Sequence, residues 1–308
     1  MKESFSELYA RLYNENFEEL ESLRAKAKKS SVLLIFVMAT IFILASINPI
    51  FILLFIVGIF VFIGKSIKKS KQGFNVQNRE KTYPEVFKEK VVGPLIENVF
   101  EQAKYDAKNG ISSFDYRKCG FKEYYDRYSS EDLIIAPLKA ENNETTFITF
   151  AEVHTQTEHT DDDGHTHYTT VFQGLVGKFL IPKDIGKGIF IRANGRVSGW
   201  NKNKVKMDMS EFEKIFDVES DDKILTMRIL TADVMAEMID LYEKYKYKFE
   251  INILNDTIYM RLRTGPMFEP NVFKGSMEYK TIEKYYLVLR ALMSIAEHIY
   301  DTILKLEV

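Results

Sequence analysis

The residues best suited to chemistry lie in one short stretch, HTQTEHTDDDGHTH, at positions 154–167. The stretch holds four of the chain's five histidines and three consecutive aspartates. Imidazole and carboxylate groups are suitable ligands for Zn²⁺, Ni²⁺ or Cu²⁺. The stretch is therefore a candidate site for a divalent metal, and no other cofactor is predicted.

The same stretch also has the pattern of a β-hairpin tip. Asp162, Asp163 and Gly164 suit a three-residue loop, in which a glycine in the left-handed conformation follows a type I turn. With that register, the alternation of strand residues places four side chains on one side of the hairpin: His159, Asp161, His165 and His167. Because an exposed two-stranded tip gives metal ligands little support from neighbouring groups, the sequence favours a solvated hairpin over a specific metal site.

A second candidate is a basic loop, RANGRVSGWNKNKVK, at positions 192–206. It has no acidic residue, and it contains five cations and the chain's one tryptophan: Arg192, Arg196, Lys202, Lys204, Lys206 and Trp200. Such a loop can contact anionic lipid or a partner, since each cation near a lipid surface contributes about 1 kcal/mol and indole prefers the interface. A solvated loop is the simpler interpretation, and the lipid or partner contact is the alternative.

The other motifs give no catalytic prediction. The sequence contains no GxGxxG, Walker A, GxSxG or HExxH motif. Cys119 has no histidine partner nearby in sequence, and the neighbouring acids Glu131 and Asp132 would point apart on a strand. With 42 Lys+Arg against 44 Asp+Glu, the net charge of −2 argues against a nucleic-acid-binding protein.

The longest uncharged stretch covers residues 31–64. As one straight helix it would reach about 50 Å, well beyond a bilayer core of about 30 Å. Asn48-Pro49 lies near its middle and predicts a turn, and both flanks are basic, which favours the cytoplasm on each side. We therefore predict a two-helix transmembrane hairpin rather than one kinked span. The predicted location is the inner (cytoplasmic) membrane, as a multi-pass protein with both termini cytoplasmic.

Around this hairpin the sequence predicts an α+β protein. Residues 1–30 form an amphipathic helix, whose apolar stripe packs on the protein's own domain, self-associates as a short coiled coil or, less favourably, lies on lipid. A basic linker covers residues 65–77. Residues 78–308 form a cytoplasmic domain, in which strands joined by hairpins make an antiparallel sheet with packed helices.

Within this domain, three local patterns give specific predictions. KILTMRIL, at positions 223–230, is predicted as a strand. Thr231 is predicted to N-cap the helix that follows. Asn255-Asp256 is predicted as the tight turn of a second hairpin.

The run at positions 209–241, MSEFEKIFDVESDDKILTMRILTADVMAEMIDL, lies between YSSEDLI and PMFEPNVF in the chain. With these motifs, the LESLRAKAKKS helix and the paired apolar segment, the chain resembles the bacterial membrane proteins of domain-of-unknown-function family 3137. That family has no established activity, so the resemblance implies no catalytic residue. The histidine-rich loop departs from the family's pattern.

These patterns lead to one functional expectation and one alternative. We expect a membrane-anchored cytoplasmic binding or scaffold domain, which engages a protein partner or anionic lipid at the inner face and can also self-associate. The alternative is an enzyme or metal-dependent sensor that uses the hairpin 154–167. A deep cavity lined by convergent polar groups would favour an enzyme, whereas a shallow groove or a flat apolar patch would favour binding.

Overall fold

A computed structural model describes residues 3–47, 81–186, 188–193 and 203–306. Over these residues the chain is α+β with a large antiparallel sheet, so this part of the predicted fold class is confirmed. The helices are α1 (Phe5–Ile47), α2 (Tyr83–Phe87), a π-helical turn (Lys88–Val92), α3 (Gly93–Val99), α4 (Ser113–Lys118), α5 (Ser210–Glu213), α6 (Lys223–Ile229), α7 (Ala232–Tyr245) and α8 (Tyr279–Lys305). The strands are β1 (Lys104–Asp106), β2 (Arg127–Lys139), β3 (Thr145–Thr160), β4 (Thr166–Leu180), β5 (Ile189–Ala193), β6 (Lys204–Val205), β7 (Phe216–Ser220), β8 (Phe249–Leu254) and β9 (Thr257–Leu262).

The described strands form one sheet in the order β1-β2-β3-β4-β9-β8-β5-β7-β6, with antiparallel neighbours throughout. The hairpin of β3 and β4 is longer than the strands beside it. β2 pairs with β3 only as far as Gln156, and β9 pairs with β4 only from Leu175 onward. The tip of the β3–β4 hairpin therefore projects beyond the sheet.

Helix α8 organises much of the helical layer. It contacts α3, α6, α7 and β2. Its buried side chains recur at three- and four-residue steps, as expected for a helix with one core-facing side. Among them are Ile282, Leu289, Leu292, Ile299 and Ile303, each almost fully buried.

The KILTMRIL prediction is wrong, because the segment forms helix α6 rather than a strand. Asp222 precedes the helix, and its side chain accepts a hydrogen bond from the backbone N–H of Leu225 at 2.9 Å. Thr226 and Ile229 are buried while Ile224 is exposed, so burial follows a three-residue step rather than the two-residue step of a strand. An aspartate N-cap therefore outweighs the β-branched composition.

The other two local predictions are confirmed. Thr231 accepts a hydrogen bond from the backbone N–H of Val234 at 3.4 Å, and α7 follows it. Asn255 and Asp256 connect β8 and β9, and Leu254 pairs directly with Thr257. Turn and cap residues thus determine local structure at these two positions.

The predicted two-helix transmembrane hairpin and the multi-pass inner-membrane location, with both termini cytoplasmic, are wrong. Among the described residues, no helix combines the length and the apolar composition that crossing a membrane requires. Helix α1 continues unbroken from the amphipathic residues into its apolar part, residues 31–47. The Asn48-Pro49 turn, the second arm and the linker 65–77 lie outside the described residues.

The chain divides into two compact units. The first consists of Met1–Ala10, Val91–Glu269 and Tyr279–Val308. The second consists of Arg11–Lys90 and Pro270–Glu278. The amphipathic part of α1 is packed within the chain, since Leu8, Leu12 and Leu20 are almost fully buried.

Candidate functional site

The tip of the β3–β4 hairpin has the predicted turn. The backbone N–H of Asp161 donates to the carbonyl of His165 at 3.0 Å, and that of Gly164 donates to the carbonyl of Asp161 at 3.0 Å. Gly164 has a φ of 80°, the left-handed conformation that glycine adopts without strain. His159 pairs directly with His167 across the two strands, as the predicted register requires.

The two oxygens of the Asp161 carboxylate have different partners. Oδ1 accepts hydrogen bonds from the backbone N–H groups of Asp163 at 3.1 Å and of His165 at 2.7 Å. Oδ2 lies 3.3 Å from Nε2 of His167 and 3.6 Å from Nδ1 of His165. The turn therefore fixes one oxygen and directs the other toward two imidazoles.

The other two histidines of the stretch have separate hydroxyl partners. Nε2 of His159 lies 3.1 Å from Oγ1 of Thr157. Nε2 of His154 lies 3.0 Å from Oγ1 of Thr170, and partial burial lowers the pKa of His154. Of the four predicted metal ligands, His165 and His167 thus lie close to one carboxylate oxygen of Asp161. The ring of His159 contacts Thr157 instead.

Two of the described cations of the basic loop form ion pairs with acidic residues of the sheet. Nη1 of Arg192 lies 3.6 Å from Oε1 of Glu219, and Nζ of Lys204 lies 2.7 Å from Oδ1 of Asp217. The hydrogen bond to Asp217 raises the pKa of Lys204. Lys206 is exposed. The remaining predicted contact residues, Arg196, Trp200 and Lys202, lie outside the described residues, so the lipid or partner contact stays a prediction.

The sequence does not predict a cluster of carboxylates that lies at an irregularity in β2. The pairing of β2 with β3 is irregular between Glu131 and Ile134, and Asp132 has a φ of 59°. This bulge turns the two neighbouring acids together, so ligand oxygens of Glu131, Asp132 and Glu269 lie within 4.8 Å of one another. Asp132 is buried and accepts a hydrogen bond from the hydroxyl of Tyr105.

Carboxylates at this spacing suit a hard cation such as Ca²⁺. Tyr105 beside them is held protonated, because burial and then the charge of Asp132 raise its pKa. Nothing beyond the carboxylates themselves points to a bound ion, so we assign no metal to this cluster. No sequence signal distinguishes the bulge at Glu131 from regular strand.

A buried ionic network lies on one face of the sheet. The Arg261 side chain is only 7% exposed; its Nη1 is 2.5 Å from Oε2 of Glu123, and its Nη2 is 2.9 Å from Oε1 of Glu250. Its guanidinium lies over the rings of Phe121 and Phe172. Although burial opposes it, the charges of Glu250 and its neighbours hold the pKa of Arg261 above its ordinary value. The network joins the segment after α4 to β8 and β9.

Cys119 lies in the apolar cluster beside this network. Burial raises the pKa of its thiol to about 12. Because the thiolate is the reactive form of cysteine, this side chain is chemically inert at neutral pH.

A surface cleft of about 440 Å³ lies where α7 begins and α8 ends. Acids and bases in and beside its wall pair with one another: Nζ of Lys305 is 2.7 Å from Oε2 of Glu141, and Nδ1 of His298 is 3.1 Å from Oε2 of Glu237. The backbone N–H of Glu141 donates to Asp301 at 2.8 Å. The charged groups of this cleft thus pair with one another. In a substrate site, by contrast, polar groups converge on a common point.

Residues 170–300 match a protein family described as "Protein of unknown function (DUF3137)". The resemblance to DUF3137 is confirmed. The DUF3137 segment contains most of β4 and the elements through most of α8, and the histidine-rich tip lies before it. The match itself carries neither an activity nor a cellular location.

Among solved structures, the chain is similar to the "crystal structure of the mycobacterial trehalose monomycolate transport factor A, TtfA". The identity is 8%, the alignment covers 65% of this chain and 95% of that chain, and the TM-score is 0.32. A likeness of this size carries no argument about function. No curated protein matches the chain.

Proposed function

We propose that this chain is a binding module that assembles with a second copy of itself through the apolar part of α1. The observation that carries the proposal is the exposure of that helix surface. Eight large apolar side chains between positions 32 and 43 have exposed fractions from 50% to 75%: Val32, Leu33, Leu34, Ile35, Phe36, Met38, Phe42 and Ile43.

The exposed apolar surface of α1 is expected to be buried against another apolar surface. The five consecutive residues from Val32 to Phe36 span more than one full turn, so apolar side chains face every side of the helix. A helix that is apolar all round is buried in its functional state, and soluble monomers rarely expose such a patch. Burying each Leu, Ile or Phe side chain contributes about 1.5–3 kcal/mol.

A second copy supplies a partner surface of the right chemistry. Residues 31–47 contain no charged side chain, so a complementary surface must be apolar and uncharged as well. The same segment of another copy meets this condition, and a patch that pairs with itself forms a closed symmetric dimer. The amphipathic part of α1 is not available for this role, because Leu8, Leu12 and Leu20 are buried within their own chain.

Charge favours an antiparallel pair of helices. Lys26, Lys28 and Lys29 are located just before the apolar part of α1. A parallel pair would place the two lysine clusters side by side, and like charges close together repel. An antiparallel pair separates the clusters and centres the contact near Met38.

Self-association in this form makes the chain a scaffold. Each copy in the dimer keeps its sheet and its projecting β3–β4 hairpin, so the dimer offers two copies of every other surface to a protein partner.

The experiment is a measurement of molar mass by light scattering over a range of concentrations of the full chain. The test variant carries Phe36→Glu and Phe42→Glu, and the matched control carries Ile224→Glu, which changes an equally exposed apolar residue on α6. We expect dimers for the wild type and the control, and monomers for the test variant. A wild type that is monomeric throughout, or a test variant with the mass of the wild type, would contradict the proposal.

A further inference from the structure

We infer that the β3–β4 hairpin tip is a binding site for one transition-metal ion of the Zn²⁺ or Ni²⁺ type, held by Asp161, His165 and His167. The site is independent of the proposed dimer. Neutral imidazole together with one carboxylate favours this class of ion, whereas Mg²⁺ and Ca²⁺ prefer sets of oxygen ligands.

The distances fit the geometry of such a site. Zn²⁺ binds nitrogen and oxygen ligands at about 2.0–2.1 Å, so neighbouring ligand atoms of a tetrahedral site lie about 3.3 Å apart. Oδ2 of Asp161 lies 3.3 Å from Nε2 of His167 and 3.6 Å from Nδ1 of His165. Two of the three distances between the proposed ligand atoms are therefore already close to those of a tetrahedral site.

The central ligand is also held in position. Metal ligands are commonly oriented by a further hydrogen bond, which fixes their direction and raises affinity. Oδ1 of Asp161 accepts from two backbone N–H groups of the turn, those of Asp163 and His165. Because the turn holds Oδ1, Oδ2 stays directed toward the imidazoles. This support is what the sequence alone does not reveal.

The remaining distance, between the imidazole nitrogens of His165 and His167, shortens when the side chains rotate. In the structure the three ligand atoms do not all lie within 4.8 Å of one another. The side chains of His165 and His167 are 74% and 69% exposed, so their rings change rotamer freely on a fast timescale. A bound cation also offsets the repulsion among Asp161, Asp162 and Asp163. This favours the rotamers in which all three ligand atoms surround the ion.

The fourth position has a protein candidate. His159 pairs with His167 across the hairpin and lies on the same side of it. Its ring makes a hydrogen bond to Thr157 at 3.1 Å. Rotation of this ring toward His167 would complete the set, and water serves the same position otherwise.

Asp161→Asn is the sharpest test of the site. Asparagine keeps the oxygen that accepts from the turn amides but replaces the ligating oxygen by an amide nitrogen, so the turn survives and the ligand is lost. The double variant His165→Ala with His167→Ala removes the other two ligands. His154→Ala is the matched control, because His154 lies on β3 of the same hairpin but bonds to Thr170.

The measurement is calorimetric titration of the full chain with Zn²⁺ at neutral pH, with circular dichroism to verify the fold of each variant. We expect one ion per wild-type chain, unchanged binding for His154→Ala, and affinity at least tenfold lower for Asp161→Asn and for the double variant. Zn²⁺ binding that persists unchanged in both test variants would overturn the site, since the ion would then lie elsewhere, as at the carboxylates of Glu131 and Asp132. A wild-type chain that binds no Zn²⁺ would also overturn it.

Discussion

Asp161 and His165 are joined twice across the hairpin tip, once between their backbones and once through the Asp161 side chain. The backbone N–H of Asp161 donates to the carbonyl of His165 at 3.0 Å, and the backbone N–H of His165 donates to Oδ1 of Asp161 at 2.7 Å. The same residue therefore closes the turn and sets the direction of its free carboxylate oxygen.

This double role predicts different stabilities for two substitutions of Asp161. Asp161→Ala removes the acceptor for two turn amides and should lower the free energy of unfolding by about 0.5–1.5 kcal/mol, the usual net value of one hydrogen bond. Asp161→Asn keeps that acceptor and should match the wild type. Chemical denaturation of the full chain without metal measures both, and equal losses for the two variants would argue against the turn role.

The Arg261 network predicts a much larger effect. Arg261→Met leaves the buried carboxylate of Glu123 and the partly buried carboxylate of Glu250 without their cation, and breaking a buried pair in this way costs about 3–5 kcal/mol. Lys204→Met breaks the pair with Asp217 at a half-exposed position and should cost less than about 1 kcal/mol. Denaturant midpoints compare the two variants. Similar losses of unfolding free energy in the two variants would show that the Arg261 network stabilises the fold no more than the Lys204–Asp217 pair does.

Cys119 should be unreactive in the folded protein. Burial raises its pKa to about 12, so almost none of it is thiolate at neutral pH. Titration with a thiol reagent should give no reaction in buffer and one thiol per chain in denaturant. Rapid labelling of the native chain would contradict the burial of the cluster that contains Cys119.

Glu21 should make stability depend on pH in the acid range. Its hydrogen bond to Arg24 holds its pKa at about 2, below its ordinary value of 4.5. A depressed carboxyl pKa stabilises the folded state above pH 4.5, and that contribution is lost as the pH falls from 4.5 toward 2. Because Glu21 is about one-third exposed, solvent screening keeps the effect small.

Melting temperatures between about pH 2 and 6 measure this contribution. Glu21→Gln should flatten part of the acid decline seen in the wild type. Glu15→Gln is the control, since Glu15 makes a more exposed pair with Arg11 on the same helix. A decline of the same size in the wild type and both variants would exclude Glu21 as its source.

Local signals in the sequence predicted several elements correctly. Asp162 and Gly164 specify the hairpin tip, and Thr231 specifies the start of α7, because turns and caps depend on the backbone geometry of a few adjacent residues. The segment 223–230 was predicted wrongly for a related reason. Its β-branched residues favour a strand, but the cap at Asp222 and burial of one helix side favour α6.

The convergence of side chains was harder to predict than the elements. Glu131 and Asp132 would point apart on a regular strand, and the bulge that brings them together depends on pairing with β3, which is remote in sequence. Glu250 faces Arg261 across the predicted β8–β9 hairpin, but Glu123, the other partner of Arg261, comes from a segment that is remote in sequence. Sequence periodicity describes a single element, so it cannot show which side chains meet across elements.

The formation of intermolecular disulfides distinguishes antiparallel from parallel pairing of α1 between two copies. One full chain carries Ser31→Cys and the other carries Ser46→Cys, and the two are mixed before oxidation; the native Cys119 is buried and stays inert. We expect a disulfide between position 31 of one copy and position 46 of the other, with little coupling of position 31 to itself. Coupling of 31 to 31 and 46 to 46, or no intermolecular disulfide at all, would contradict it.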